Sequence, residues 1–318
     1  MTVMKKINTP LIEQRADPHI TKHSDGYYYF TASVPEYDRI ELRRATTIAG
    51  LAQAQPQVCW HKPDSGAYSE LIWAPELHFN QGAWTIYFAA APSREIKHNL
   101  FQHRMYAISN SNANPLEGTW QFHGQIETGM DTFCLDATTF AHAGVLYYLW
   151  AQKDLQIEGN SNLYIAPMQT PWQLAGPPVM LSKPEFDWEI RGFWVNEGPS
   201  VLKRHGKIFI SYSASATDEN YAMGLLWADD TANLLDPASW TKSTGPVFQT
   251  CYEHGIYGPG HNSFTVGEHA DEVLLVFHAR TYTEIIGDPL WNPDRHTFVK
   301  KLAWDEKRMP VFGLASEC

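Results

Sequence analysis

Five times along its 318 residues this chain sets a turn residue before a run of aromatic and β-branched side chains. The runs are Asp25 to Phe30, Gly82 to Phe88, Gly144 to Trp150, Gly206 to Tyr212 and Asp271 to Phe277. Aligned on Phe30, Phe88, Leu149, Ile210 and Phe277, they stand 58, 61, 61 and 67 residues apart, a period that fills the chain. A fixed period of strand-forming units means a propeller or a solenoid, because each unit buries its apolar face only against its neighbours.

Each run follows a second extended segment, beginning at Asp17, Ala74, Asp136, Glu197 or His261. Pro18, Pro75 and Pro199 keep these starts out of the helical region and cannot donate to a ladder, which suits the first residues of an edge strand. Five hairpins at this spacing predict an all-β fold, a five-bladed β-propeller with residues 1–318 as one domain. About sixty residues per unit is more than four strands need, and the surplus becomes loops. The 13% aromatic content and the 41 glycines and prolines suit short strands joined by tight turns. Arg43 to Ala54 and Asp230 to Leu235 read as helical insertions. Thr9 to Gln14 is expected to close the ring beside Thr297 to Trp304, which removes a free edge.

The first strand of a propeller blade lines the central channel, so Asp17, Ala74, Asp136, Glu197 and His261 are expected to ring the axis. Their distances to the following turn are nearly constant. Three of the five are carboxylates. Crowded carboxylates repel one another, so burial and the shared field raise at least one pKa while others stay ionised. Glycosidic cleavage needs that division, with one protonated acid at the leaving oxygen and one ionised group activating water or attacking the anomeric carbon. Any one of these acids, met alone, reads as a turn or lining residue; the set at equivalent repeat positions reads as catalytic.

Around them, His261 is a candidate metal ligand, carboxylate partner or channel filler. Trp73 could stack on a sugar face, with blade packing as the alternative. Arg280 could hold an acid or a sugar hydroxyl through its fork of donors, or lie at the surface. Glu76 and Asp38 read as structural acids.

A net charge of −11 with no basic run argues against nucleic acid and anionic membranes as partners. Met1 to Ile12 carries no apolar signal region, and the sequence-level expectation is a cytoplasmic protein. The four cysteines lack metal-finger or disulfide-framework spacing. Phosphate-loop, dinucleotide, zinc-protease and serine-hydrolase signatures are missing.

With these residues in view, the chain resembles glycoside hydrolase family 43 over nearly its full length. Arg15-Ala-Asp-Pro-His-Ile, Leu135-Asp-Ala-Thr and Val195-Asn-Glu-Gly-Pro-Ser carry the resemblance, supported by Trp73-Ala-Pro-Glu, Gly260-His261 and His278-Ala-Arg280. The resemblance implies an inverting hydrolase with Asp17 as general base, Glu197 as general acid and Asp136 tuning the acid, with Arg280 and His261 lining the same subsite. It also implies a calcium ion in the channel near His261, although Asn262-Ser263 stands where some relatives have Gly-Asp. The segment Tyr27 to Leu51 is most similar to members that release terminal arabinofuranose from α-1,5-linked arabino-oligosaccharides. β-Xylosidase, endo-arabinanase and a non-catalytic carbohydrate-binding propeller are the alternatives.

Overall fold

The aromatic runs become second strands because their residues are buried on both faces; Ala83–Ala91 and Val273–Arg280 are buried along almost their whole length. The computed structural model describes residues 9–269 and 271–313, and its strands form five antiparallel sheets arranged as blades in a ring. Blade one is β1 (Ala16–Lys22), β2 (Tyr28–Ser33), β3 (Arg39–Ala45) and β4 (Gln57–His61). Blade two is β5 (Glu70–Asn80), β6 (Ala83–Ala91), β7 (Arg104–Asn110) and β8 (Gln121–Gln125). Blade three is β9 (Cys134–His142), β10 (Val145–Gln152) and β11 (Asn162–Thr170), with β12 (Gln173–Leu174) and β13 (Val179–Ser182) on β11. Blade four is β14 (Asn196–Arg204), β15 (Lys207–Ala214), β16 (Ala222–Asp229) and β17 (Thr241–Lys242). Blade five is β18 (Tyr257–Val266), β19 (Val273–Arg280) and β20 (His296–Lys301), followed by the small pair β21 (Ala303–Trp304) and β22 (Pro310–Val311).

The first strands close a circle: β1 packs beside β5 and β18, β9 beside β5 and β14, and β14 beside β18. Between the blades lie the apolar clusters. Tyr29, Trp84 and Phe88 join blades one and two, and Leu225, Phe248, Phe277 and Phe298 join blades four and five. Each such side chain, fully buried, contributes about 1.5–3 kcal/mol.

Ring closure is shorter than the sequence suggests. Leu11 N–H donates to Thr297 O and Thr297 N–H to Ile12 O, both at 2.8 Å, a single bridge rather than a full strand. The helical expectations fare worse. Arg43 to Ala45 belong to β3, and only α1 (Ile48–Gln53) is helical, capped by Thr47. Asp230 to Leu235 form turns, because Asn233 and Asp236 spend their side chains on the backbone N–H groups of Leu235 and Ala238. Among the described residues no helix is long and apolar enough to cross a membrane.

A shared irregularity shapes the channel. Asp17, Ala74, Asp136, Gly198 and His261 all have positive φ, between 40° and 54°, and the ladder register shifts beside each of them. Two residues later the regular pairing resumes, at His19, Glu76, Thr138, Ser200 and Ser263. A bulge of this kind turns two successive side chains toward one side, where a regular strand would alternate them.

Candidate active site

The bulges gather Asp17, Trp73, Leu135, Asp136, Glu197 and His261 on one cavity of about 280 Å³. The register corrects one sequence assignment. The left-handed place in blade four belongs to Gly198, so Glu197 stands one residue earlier, in line with Ala16, Trp73, Leu135 and Gly260. The side chain still reaches the cavity because both bulge residues face it. Glycine eases the fit at 198 on two counts: φ is +54°, and a Cβ there would press on Cγ of His261 at 3.0 Å.

Asp17 is buried and enclosed by donors. Ser33 Oγ donates to Oδ2 at 2.5 Å, while His261 Nδ1 stands 3.2 Å and Arg295 Nη1 3.5 Å from Oδ1. Burial by itself would raise the Asp17 pKa, but His261 and Arg295 outweigh it and hold the carboxyl far below its usual range. His278 Nδ1 also lies 3.3 Å from Oδ1. It already accepts the backbone N–H of Asp17 at 3.0 Å, so in the neutral ring its lone pair, not a proton, faces Asp17. His261 and Arg295 therefore carry the effect.

Glu197 has the opposite environment. Burial and the nearby charge of Asp17 raise its pKa to about 7, against the hydrogen bond that Tyr221 Oη donates to Oε1 at 2.8 Å. Behind it, buried Glu189 binds Asn196 Nδ2 and Tyr212 Oη through Oε1 and fixes the start of β14. Asp136 is raised well above the ordinary range by burial, by Glu197 and by Asp17, and its Oδ2 accepts the Gly198 N–H at 3.0 Å. One cavity thus holds an ionised carboxylate and a carboxylic acid that keeps its proton near neutral pH, the pair that acid and base chemistry on one bond requires.

Trp73 lines the cavity, stacked on His103 with ring centroids 3.8 Å apart, and its buried Nε1–H has no partner among the described residues. Arg280 does not line it. That guanidinium is buried behind the wall and donates to the carbonyls of Thr217 and Pro289 and to Asn292 Oδ1. The cavity arginine is Arg295, which also donates to Tyr37 Oη at 3.1 Å. Sequence reasoning misses Arg295 and Tyr221 because they come from the entries of β20 and β16, where no repeat position marks them. Asp38 is half-exposed and paired with Arg39, away from the cavity, and Glu76 lies deeper in the channel.

Around His261 the calcium expectation finds no oxygen-rich shell among the described residues. Calcium takes about 6–8 oxygen ligands, whereas Asn262 Oδ1 is held by Ser211 and Ser263 Oγ is committed to Pro18 O. The carboxylate oxygens paired with the His261 ring are those of Asp17 and Asp136, and Ser213 Oγ is taken up by the His261 backbone N–H.

Residues 7–310 match the family model described as glycosyl hydrolases family 43. The extracellular exo-α-(1→5)-L-arabinofuranosidase of Streptomyces avermitilis is 51% identical over 305 residues, 96% of this chain and 63% of that protein. The extracellular exo-α-(1→5)-L-arabinofuranosidase of Streptomyces chartreusis is 50% identical over 280 residues, 88% of this chain and 84% of that protein. The crystal structure of an α-L-arabinofuranosidase from Lactobacillus brevis superposes with a TM-score of 0.94 at 58% identity, covering 96% of this chain and 95% of that one. The chain spans a little under two thirds of the Streptomyces avermitilis relative. Both Streptomyces relatives are named extracellular, which overturns the expectation of a cytoplasmic protein. Of the Met1 to Ile12 segment behind that expectation, Met1 to Asn8 lie outside the described residues.

Proposed function

Because this chain belongs to glycosyl hydrolases family 43, we propose that it hydrolyses terminal α-1,5-linked L-arabinofuranosyl residues of arabino-oligosaccharides with inversion at the anomeric carbon. The observation that carries the reading is the opposed protonation of two acids in one cavity: Asp17 held ionised by His261 and Arg295, and Glu197 raised to about 7 by burial. In this reading Asp17 removes the proton from the attacking water while Glu197 gives its own to the leaving oxygen. Asp136, whose own proton is favoured by burial and by Glu197 and Asp17, accepts the Gly198 N–H through its Oδ2 and so fixes the backbone beside the acid. No metal is needed for these steps.

The sugar assignment is supported by the names of the relatives at about half identity and by the size of the cavity. At about 280 Å³ it suits a single sugar ring rather than a run of polymer. Trp73 offers its flat apolar face to that ring.

The decisive experiment compares initial rates on 4-nitrophenyl α-L-arabinofuranoside, 4-nitrophenyl β-D-xyloside and α-1,5-arabinotriose, with the anomer of the first product read by NMR. Preference for the arabinosides, arabinose released one unit at a time and inverted product support the reading. Xyloside preference or a retained anomer would overturn it. Glu197→Gln and Asp17→Asn should each lower kcat by about 10²–10⁴ while leaving the fold intact.

A further inference from the structure

One layer below the cavity, the same strands bring together three side chains that the hydrolytic reading does not use. His19 follows Asp17 by two residues on β1, Glu76 follows Ala74 by two on β5, and His78 continues the same face of β5. None of the three lines the cavity. His78 Nε2 is 2.8 Å and His19 Nε2 3.8 Å from the same oxygen, Glu76 Oε2. The two imidazole rings lie 4.9 Å apart, and one ligand atom from each of the three residues falls within 4.8 Å of the others.

A hydrogen bond between Glu76 and His78 would by itself make a satisfied polar pair in the channel. His19 breaks that account. It adds a second buried imidazole whose Nδ1 has no partner among the described residues and whose Nε2 stops short of hydrogen-bond distance from Glu76. Glu76 is thus a buried acid with two imidazoles at one of its oxygens, of which only His78 is within hydrogen-bond distance, and a cation between the three would complete the arrangement.

We propose that His19, Glu76 and His78 form a binding site for a divalent transition-metal ion of the zinc class, clamping the inner strands of blades one and two. Two imidazole nitrogens and one carboxylate oxygen are a borderline donor set that suits zinc, cobalt or nickel, and calcium or magnesium poorly. Ligands at about 2.0–2.1 Å from a tetrahedral ion stand about 3.3 Å from one another; the two spacings to Glu76, 2.8 and 3.8 Å, straddle that value, and the whole set lies within 4.8 Å, so the imidazoles would close inward on the ion. Bound metal would occupy the lone pair of His19 Nε2 and neutralise Glu76 without entering the reaction cavity.

The test uses tag-free protein freed of metal with a chelator, then equilibrated with zinc chloride. The expected result is one tightly bound zinc per chain and a rise in Tm of several degrees, with both effects lost in His19→Gln and in His78→Gln. Zinc uptake that is unchanged in both variants, or calcium bound in preference to zinc, would overturn the site. Should a variant misfold, cobalt chloride added to the wild-type protein decides. Strong visible absorption of four- or five-coordinate cobalt supports the site, and the weak spectrum of the six-coordinate aqua ion removes it.

Discussion

Tyr221→Phe takes one atom from the site and leaves the ring in place against His278, with the two planes 8° apart and their centroids at 5.6 Å. The lost group is the phenolic O–H that donates to Glu197 Oε1 at 2.8 Å. That bond favours the ionised carboxylate, so it opposes the burial and the Asp17 charge that raise Glu197 to about 7. A hydrogen bond to a charged group is worth about 1.5–3 kcal/mol. The protonated acid keeps part of that, so about 1.4 kcal/mol separates the two forms, which is about one pKa unit. The alkaline limb of kcat/KM on 4-nitrophenyl α-L-arabinofuranoside should therefore move from near 7 to near 8. The acid limb, governed by Asp17, should not move. Because a weaker acid releases its proton less readily, the plateau should also fall, by less than about tenfold. An alkaline limb that stays in place or moves down would refute both the assignment of Glu197 as the titrating acid and the part given to Tyr221.

Two further substitutions test other contacts. Arg295→Met removes a charge 3.5 Å from Asp17; at an effective dielectric of about 20 that charge is worth at most about 5 kcal/mol. Its loss raises the Asp17 pKa from far below the carboxylate range toward that range, so kcat/KM should fall off on the acid side at a higher pH than in the wild type, and identical acid-side profiles would show that His261 alone holds Asp17 ionised. Gly198→Ala should lower Tm by a few degrees, since the left-handed conformation costs roughly 1–2 kcal/mol with a side chain. It should cost activity more than stability, because the new Cβ meets His261 at 3.0 Å; wild-type kcat/KM in this variant would contradict the packing argument.

The ring of blades was legible because its signal is local and repeated. A turn residue before an aromatic run specifies a hairpin wherever it occurs, and five evenly spaced hairpins leave few ways to bury their faces. The carboxylates were legible for the same reason, but only to within one residue. Distance to the next turn places Glu197 level with Asp17, whereas the left-handed bulge puts Gly198 there, and no side-chain pattern announces a bulge. Arg280 misled because its position at the end of β19 is conspicuous, while its donors are spent on the carbonyls of Thr217 and Pro289. Tyr221 and Arg295 enter from connections unique to their blades, where a repeat carries no information.

The bulges also explain why this site exists only in the closed ring. Each left-handed residue has a backbone N–H freed from its own ladder, and a buried N–H needs an acceptor. His278 of blade five receives that of Asp17, and Ser33 of blade one that of Ala74. Ser213 of blade four receives that of His261. Ser33, Ser213 and His278 are equivalent, each lying opposite the residue before the bulge on its own blade. Blade three has Ala151 at that place, with nothing to offer, and there Asp136 itself accepts the Gly198 N–H. The aspartate that shares the cavity with Glu197 is thus also the acceptor its blade lacks. Every one of these acceptors belongs to the preceding blade, so the strained backbone beneath Asp17, Ala74, Gly198 and His261 is held only when all neighbours are in place. At four of the five bulges, site geometry and contact between neighbouring blades rest on the same hydrogen bonds.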